Sequence, residues 1–232
     1  MKKLLYCPII HMSADLGSLA HEATKRGMAA LGEDLWKKHQ ETIRGFWQAI
    51  EDYLNSIEVN GFKVYQDGMA ADGEMGKKII EEGVKSGSKN FEIVSSLLKR
   101  GAILVRTEDF NLLKLELDRL VKISKAGTVV RKLTAYIDYM WTKKGLLRSR
   151  DEFIARRINE TLKEGETGIL FVGAYHDVTR WLASDIRVAE VKDRRRVADY
   201  QKKFILQGKK AKEVEELSSY LVSPVELNGR LP

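Results

Sequence analysis

The sequence predicts an α/β fold: a mostly parallel central sheet covered by helices, with a helical elaboration, in one domain over residues 1–222 and a tail over 223–232. Three observations carry this. Short apolar runs of strand length alternate with stretches of helical periodicity, the pattern of βαβ units whose crossover helices cover a parallel sheet. At 232 residues and 44% apolar content the chain can bury one large core. No internal repeat, Pro-rich linker or low-complexity tract divides it.

The first strand is expected over Lys3–Ile10, a compact apolar run ending in the polar segment His11-Met12-Ser13-Ala14-Asp15. From Leu16 to Ile57, apolar residues such as Leu31, Leu35, Ile43, Phe46, Trp47, Ile50 and Leu54 recur at helical spacing. Gly27 and Gly32 divide that stretch into two helices. A second strand, Phe62–Gln66, follows Asn60-Gly61 and runs into the glycine-rich segment 67–73. Helices are expected over Glu74–Lys85 and Asn90–Lys99, the latter closed by Gly101 as its C-cap. The third strand, Ala102–Arg106, stops at Thr107-Glu108-Asp109, and leucines at helical spacing fill Phe110–Lys125. Ala126-Gly127 separates these from a helix over Val129–Met140, a basic break covers Lys143–Leu147, and Ser149 is read as the N-cap of a helix over Arg150–Lys163. The fourth strand, Gly168–Val172, enters Gly173-Ala174-Tyr175-His176-Asp177; the fifth is Ile186–Val191. Arg194–Leu221 reads as two helices parted near Gly208.

Composition narrows the function classes. No apolar run approaches the roughly 20 residues that cross a bilayer, and Pro8 and His11 interrupt the N-terminal run before a signal-peptide core forms. The single Cys7 excludes an intrachain disulfide, fits a reducing, cytoplasmic compartment, and in a buried strand is an inert thiol. The net charge of +7 arises from 40 basic and 33 acidic side chains, so both signs crowd the surface. The basic runs Lys192–Arg196 and Lys202–Lys212 are read as solvated helix faces, and a nucleic-acid partner is not expected. Trp36, Trp47, Trp141 and Trp181 are read as core or interface anchors.

In parallel sheets ligands bind outside the carboxyl ends of the strands, where loops converge. His11 and His176 both follow apolar strand runs, whereas His21 and His39 fall in helical patterns. With the first and fourth strands adjacent, the two imidazoles would face one crevice, able to bind a divalent metal or exchange protons. Glu108, after the third strand, would add an oxygen ligand or act as a general base. Asp15, Asp67, Asp109 and Asp177 are read as turn or capping residues. Dinucleotide, Walker, zinc-cysteine and nucleophile-elbow patterns are absent, and the acidic spacing over 67–73 does not complete a calcium loop.

The segment Ser149-Arg150-Asp151-Glu152-Phe153-Ile154-Ala155, followed by Ile158, Leu162, an apolar strand and Gly173-Ala174-Tyr175-His176, resembles the TraB, TIKI, ChaN and erythromycin-esterase-like group. Pro8 stands where that group has a glycine before its first histidine, and Ser149 where it has an acid before the Arg-Asp pair. The resemblance implies a compact α/β domain among metal-dependent peptidases and metal-independent esterases. His11, Glu108 and His176 would share the cleft, as catalytic groups or as ligands of a divalent metal. Arg150 would stabilise an anionic intermediate, and Asp151 would orient Arg150 or a histidine. By itself the Arg150-Asp151 pair reads as an ordinary helix N-terminus. The leading expectation is therefore a hydrolase of ester or amide bonds, acting on a small-molecule or peptide substrate, with homo-oligomerisation left open. The alternative is a non-catalytic small-molecule or protein-binding regulatory domain of the same fold.

Overall fold

The computed structural model describes residues 1–10, 25, 28–29, 32–125, 129–206 and 211–227. The strands are β1 (Lys2–Ile9), β2 (Lys63–Gln66), β3 (Ile103–Val105), β4 (Thr167–Gly173) and β5 (Ile186–Glu190). The helices are α1 (Glu33–Asn55), α2 (Gly73–Lys85), α3 (Lys89–Lys99), α4 (Phe110–Lys125), α5 (Val129–Thr161), α6 (Arg194–Leu206) and α7 (Ala211–Val222), with a 3₁₀ turn at Val178–Trp181. The sheet order is β3-β2-β4-β1-β5 and every neighbouring pair is parallel.

Alternation along the central strands builds two cores, because successive side chains point to opposite faces. Leu5, Cys7, Ile9, Ile169 and Phe171 pack with Phe46, Trp47, Ile50 and Leu54 of α1, Ile93 and Leu97 of α3, and Tyr200 of α6. Leu4, Tyr6, Leu170 and Val172 pack with Ile154, Ala155, Ile158 and Leu162 on the other face. Right-handed crossovers explain this division. The connections β1 to β2 and β2 to β3 step one way along the sheet and lay α1 to α3 on one face; β3 to β4 steps back and lays α5 on the other. The elements that follow the neighbours β1 and β4, α1 and the turn at Val178–Trp181, therefore pack on opposite faces, the arrangement that favours a crevice at the strands' carboxyl ends.

Pro8 fits a central strand because of where β5 stops. Tyr6 accepts from Val191 N on the β5 side, and the β1–β5 register ends there, so the N–H that Pro8 lacks falls beyond its neighbour. Burial pushes the Cys7 thiol well above its usual range, so it stays protonated and inert. Trp47 is fully buried, as expected of an anchor, while the side chain of Trp141 lies outside the description.

The expected break and fresh helix start before Arg150 are replaced by one helix, α5, running through residues 143–149. The physical reason is a stripe at four-residue spacing: Leu146, Arg150, Ile154 and Ile158 are all buried, while Lys143, Lys144 and Arg148 face outward. Ser149 caps nothing; its hydroxyl donates to the carbonyl of Gly145 one turn back at 3.1 Å. Of the expected tail, Val225 and Leu227 pack on the core, and Lys192 Nζ donates to the carbonyl oxygen of Ser223. Gly101 closes α3 as expected, at φ +91°. No helix among the described residues is long and apolar enough to cross a membrane.

Candidate active site

Three neighbouring strands end in the polar groups of one cleft: β3 leads to Glu108, β2 to Asp67, and β4 through Gly173 to His176. The cleft is about 530 Å³, with Asp67, Arg150 and His176 in its wall. Gly68, at φ +77°, lets the chain turn sharply after Asp67 and bury Met69. The carbonyl of Met69 then accepts from Thr107 N and Glu108 N, both at 2.9 Å, which fixes the β3 loop against the β2 loop. The turn at β4 closes with His176 N donating to Gly173 O at 3.0 Å, and Tyr6 donates its hydroxyl to the carbonyl of His176 at 3.2 Å.

From the opposite layer α5 contributes Arg150 and Asp151. They lie one turn before Ile154 and Ala155 on the sheet-facing stripe, which carries both polar side chains to the rim of the core. Arg150 is 7% exposed, and its guanidinium is clamped by three carboxylates. Its Nε donates to Glu108 at 3.2 and 3.3 Å, Nη1 to Glu116 of α4 at 2.5 Å, and Nη2 to Asp67 at 2.6 Å and to Glu108. Described residues engage four of its five N–H groups, leaving one on Nη1 without a partner among them. The surrounding carboxylates hold this guanidinium firmly protonated against its burial.

Glu108 is fully buried, and burial pushes its carboxyl up to about 7, with Asp67 adding to the rise and Arg150 and His176 opposing it. His176 is a second focus. Its Nδ1 lies 2.5 Å from Asp151 Oδ1, while Asp151 Oδ2 accepts from Asp177 N at 2.9 Å. That pairing assigns the proton to Nδ1 and turns Nε2 toward Asp67 Oδ2, 3.8 Å away, a gap too long for a direct hydrogen bond. Burial alone would lower the pKa of His176; the bond to Asp151 and the charges of Asp67 and Asp151 outweigh it, and the net shift is upward.

The expected residues Glu108, Arg150 and His176 thus meet in one site, and β1 and β4 are adjacent as the histidine pairing required. His11 lies outside the described residues. Asp151 orients the histidine. Asp67, expected as a turn residue, is instead a member of the site: it binds Arg150 and accepts from Gly173 N at 3.1 Å. The strand-end rule that selected Glu108 would have selected it too. Glu116 carried no signal, being one acid among several on a helix. Asp109 keeps its capping role, accepting from Asn111 N and Leu112 N. Gln66, Asn90 and Gln201, for which the sequence carried no signal, also line the cleft.

Of the expected metal ligands only Glu108 and His176 lie among the described residues. Both oxygens of Glu108 face the Arg150 guanidinium, and no group of three His, Cys, Asp or Glu is arranged to hold an ion among the described residues. Comparisons with protein-family models, with curated proteins and with solved structures return no match.

Proposed function

We propose that this cleft hydrolyses an ester or amide bond, with His176 moving the proton and Asp151 holding it in place. The observation that carries the reading is the buried 2.5 Å contact between Asp151 and His176 Nδ1, with Nε2 turned to the cleft. Neutral imidazole accepts a proton at Nε2 as water adds to the substrate carbonyl, then returns it to the leaving oxygen or nitrogen as that bond breaks. Asp67, 3.8 Å across from Nε2, accepts the other hydrogen of the attacking water. The remaining N–H on Arg150 Nη1 stabilises the oxyanion, while Glu108 and Glu116 position the guanidinium. Glu108 is thereby a positioning residue, and no step passes through a metal. The resemblance to the TraB, TIKI, ChaN and erythromycin-esterase-like group supports an anion-stabilising Arg150, an orienting Asp151 and a cleft position for His176, and implies a further catalytic group in His11, which lies outside the described residues.

The test is a screen of ester, amide and phosphate substrates with the wild type, His176→Ala and Asp151→Asn. Turnover is expected to fall at least about a hundredfold in the first variant, within the range of a lost proton-transfer group. It should also rise with pH through the elevated pKa of His176, since the neutral ring is the base. Wild-type turnover in His176→Ala removes the reading. A second reading, a non-catalytic binding domain, is favoured by the excess of carboxylates, which opposes an anionic transition state. Saturable ligand binding without turnover of any substrate in the screen would establish it.

A further inference from the structure

We infer that the cleft takes a ligand bearing an N–H cation, a primary ammonium or a guanidinium, whose hydrogens are accepted by the amide oxygens of Gln66, Asn90 and Gln201. Five buried side-chain polar atoms among the described residues lack a hydrogen-bond partner, and three are these oxygens. They come from the end of β2, from α3 and from α6, and all three residues line this one cleft. Gln66 and Asn90 are 2% and 4% exposed. The orientation of Gln66 is set by its own Nε2, which donates to the carbonyl of Asp67 at 3.3 Å, so it is the oxygen that is left unpaired. Unpaired buried acceptors are costly in the free protein, and three of them on residues that line one cleft are matched by a donor-rich ligand.

Charge and shape point the same way. Asp67, Glu108, Glu116 and Asp151 stand against Arg150 and the exposed Lys143, leaving a charge of −2 when all four acids are ionised and His176 is neutral. Above neutral pH, where Glu108 is ionised and His176 neutral, such a cleft attracts cations and repels carboxylate and phosphate ligands. Phe91 and Tyr175 also line this wall, and aromatic rings attract cations. Amide oxygens accept from N–H and give nothing directional to a quaternary ammonium, which separates this class from cations in general. The inference names the substrate class for the proposed hydrolase, but binding itself does not require turnover.

The experiment titrates the full chain with n-butylammonium, tetramethylammonium and butanoate, following backbone amide resonances of the cleft. Butylammonium is expected to bind at least tenfold more tightly than either control. Gln66→Met and Asn90→Leu, which keep side-chain size and delete the acceptors, should each weaken it tenfold or more while melting no lower than the wild type. Equal affinity for butylammonium and tetramethylammonium overturns the inference, as does wild-type affinity in both variants. His176→Ala separates the two proposals, for it should abolish turnover and leave butylammonium affinity unchanged or tighter. Butylammonium binding in a protein that hydrolyses nothing removes the hydrolase and keeps this inference; His176-dependent hydrolysis without butylammonium binding does the reverse.

Discussion

Replacing Asp151 by Asn probes the contact on which the catalytic reading stands. The carboxylate accepts from His176 Nδ1 at 2.5 Å and from Asp177 N at 2.9 Å, and both it and the imidazole are nearly excluded from water. A buried hydrogen bond to a charged partner contributes roughly 1.5–3 kcal/mol. In a chain of this size each kcal/mol moves the melting temperature by about 2–4 °C, so Asp151→Asn should melt roughly 3–12 °C lower at acid pH. The direction with pH follows from linkage. Burial depresses the pKa of His176, but Asp151 and Asp67 raise it further than burial and Arg150 lower it, so its folded value exceeds the unfolded one. The stabilisation is therefore complete below about pH 6.5 and is lost as pH rises through the folded value. The gap between variant and wild type should narrow over that rise. Imidazole resonances give the titration directly, and His176 should titrate lower in Asp151→Asn than in the wild type. An unchanged titration, or a melting gap that widens toward alkaline pH, refutes the assignment of Asp151 as the partner that sets the histidine.

Glu108→Gln tests the buried carboxyl. Because the folded value near 7 lies above the ordinary 4.5, ionising Glu108 costs stability as pH rises between them, by at most about 3 kcal/mol. The variant should gain on the wild type between pH 4.5 and 8.5 in thermal unfolding, and a variant that loses ground there shows that Arg150 needs this charge. Ser149→Ala should lie within about 0.5 kcal/mol of the wild type in urea unfolding, since the hydroxyl bonds one turn back inside α5; a loss above 1 kcal/mol restores it as a cap. Ile158→Ala, beneath the sheet at 0% exposure, should cost about 2–5 kcal/mol by the same measurement. Gly101→Ala should cost roughly 1–2 kcal/mol, because φ is +91° and the new methyl would crowd Asn60 Oδ1; a neutral result means that Asn60 swings aside freely.

The parallel sheet was legible because its evidence is local. Strands β1 and β4 are continuous apolar runs and α1 shows a helical face, so each element declares itself within its own residues. Local reading failed around residue 149, where a serine and neighbouring basic residues imitate a helix start. What overrides them is the buried stripe through Leu146, Arg150, Ile154 and Ile158, and that stripe has meaning only once a sheet lies beneath it. Glu108 and His176 were found because they directly follow or closely trail strands, and Asp67 was passed over because an aspartate before a glycine is equally a turn residue.

By itself, then, the sequence determined the alternation of strands and helices, the strand-end positions of Glu108 and His176, and the burial of Cys7. Only the tertiary structure decided that β4 lies between β1 and β2, which brings Asp67 beside His176. It alone set Arg150 among three carboxylates, fixed Asp151 on the imidazole, and gathered at one cleft three residues whose amide oxygens have no donor among the described residues. The reason is range: periodicity and capping act over a few residues, whereas ion pairing and desolvation depend on distance in space between groups as far apart in the chain as Asp67 and His176.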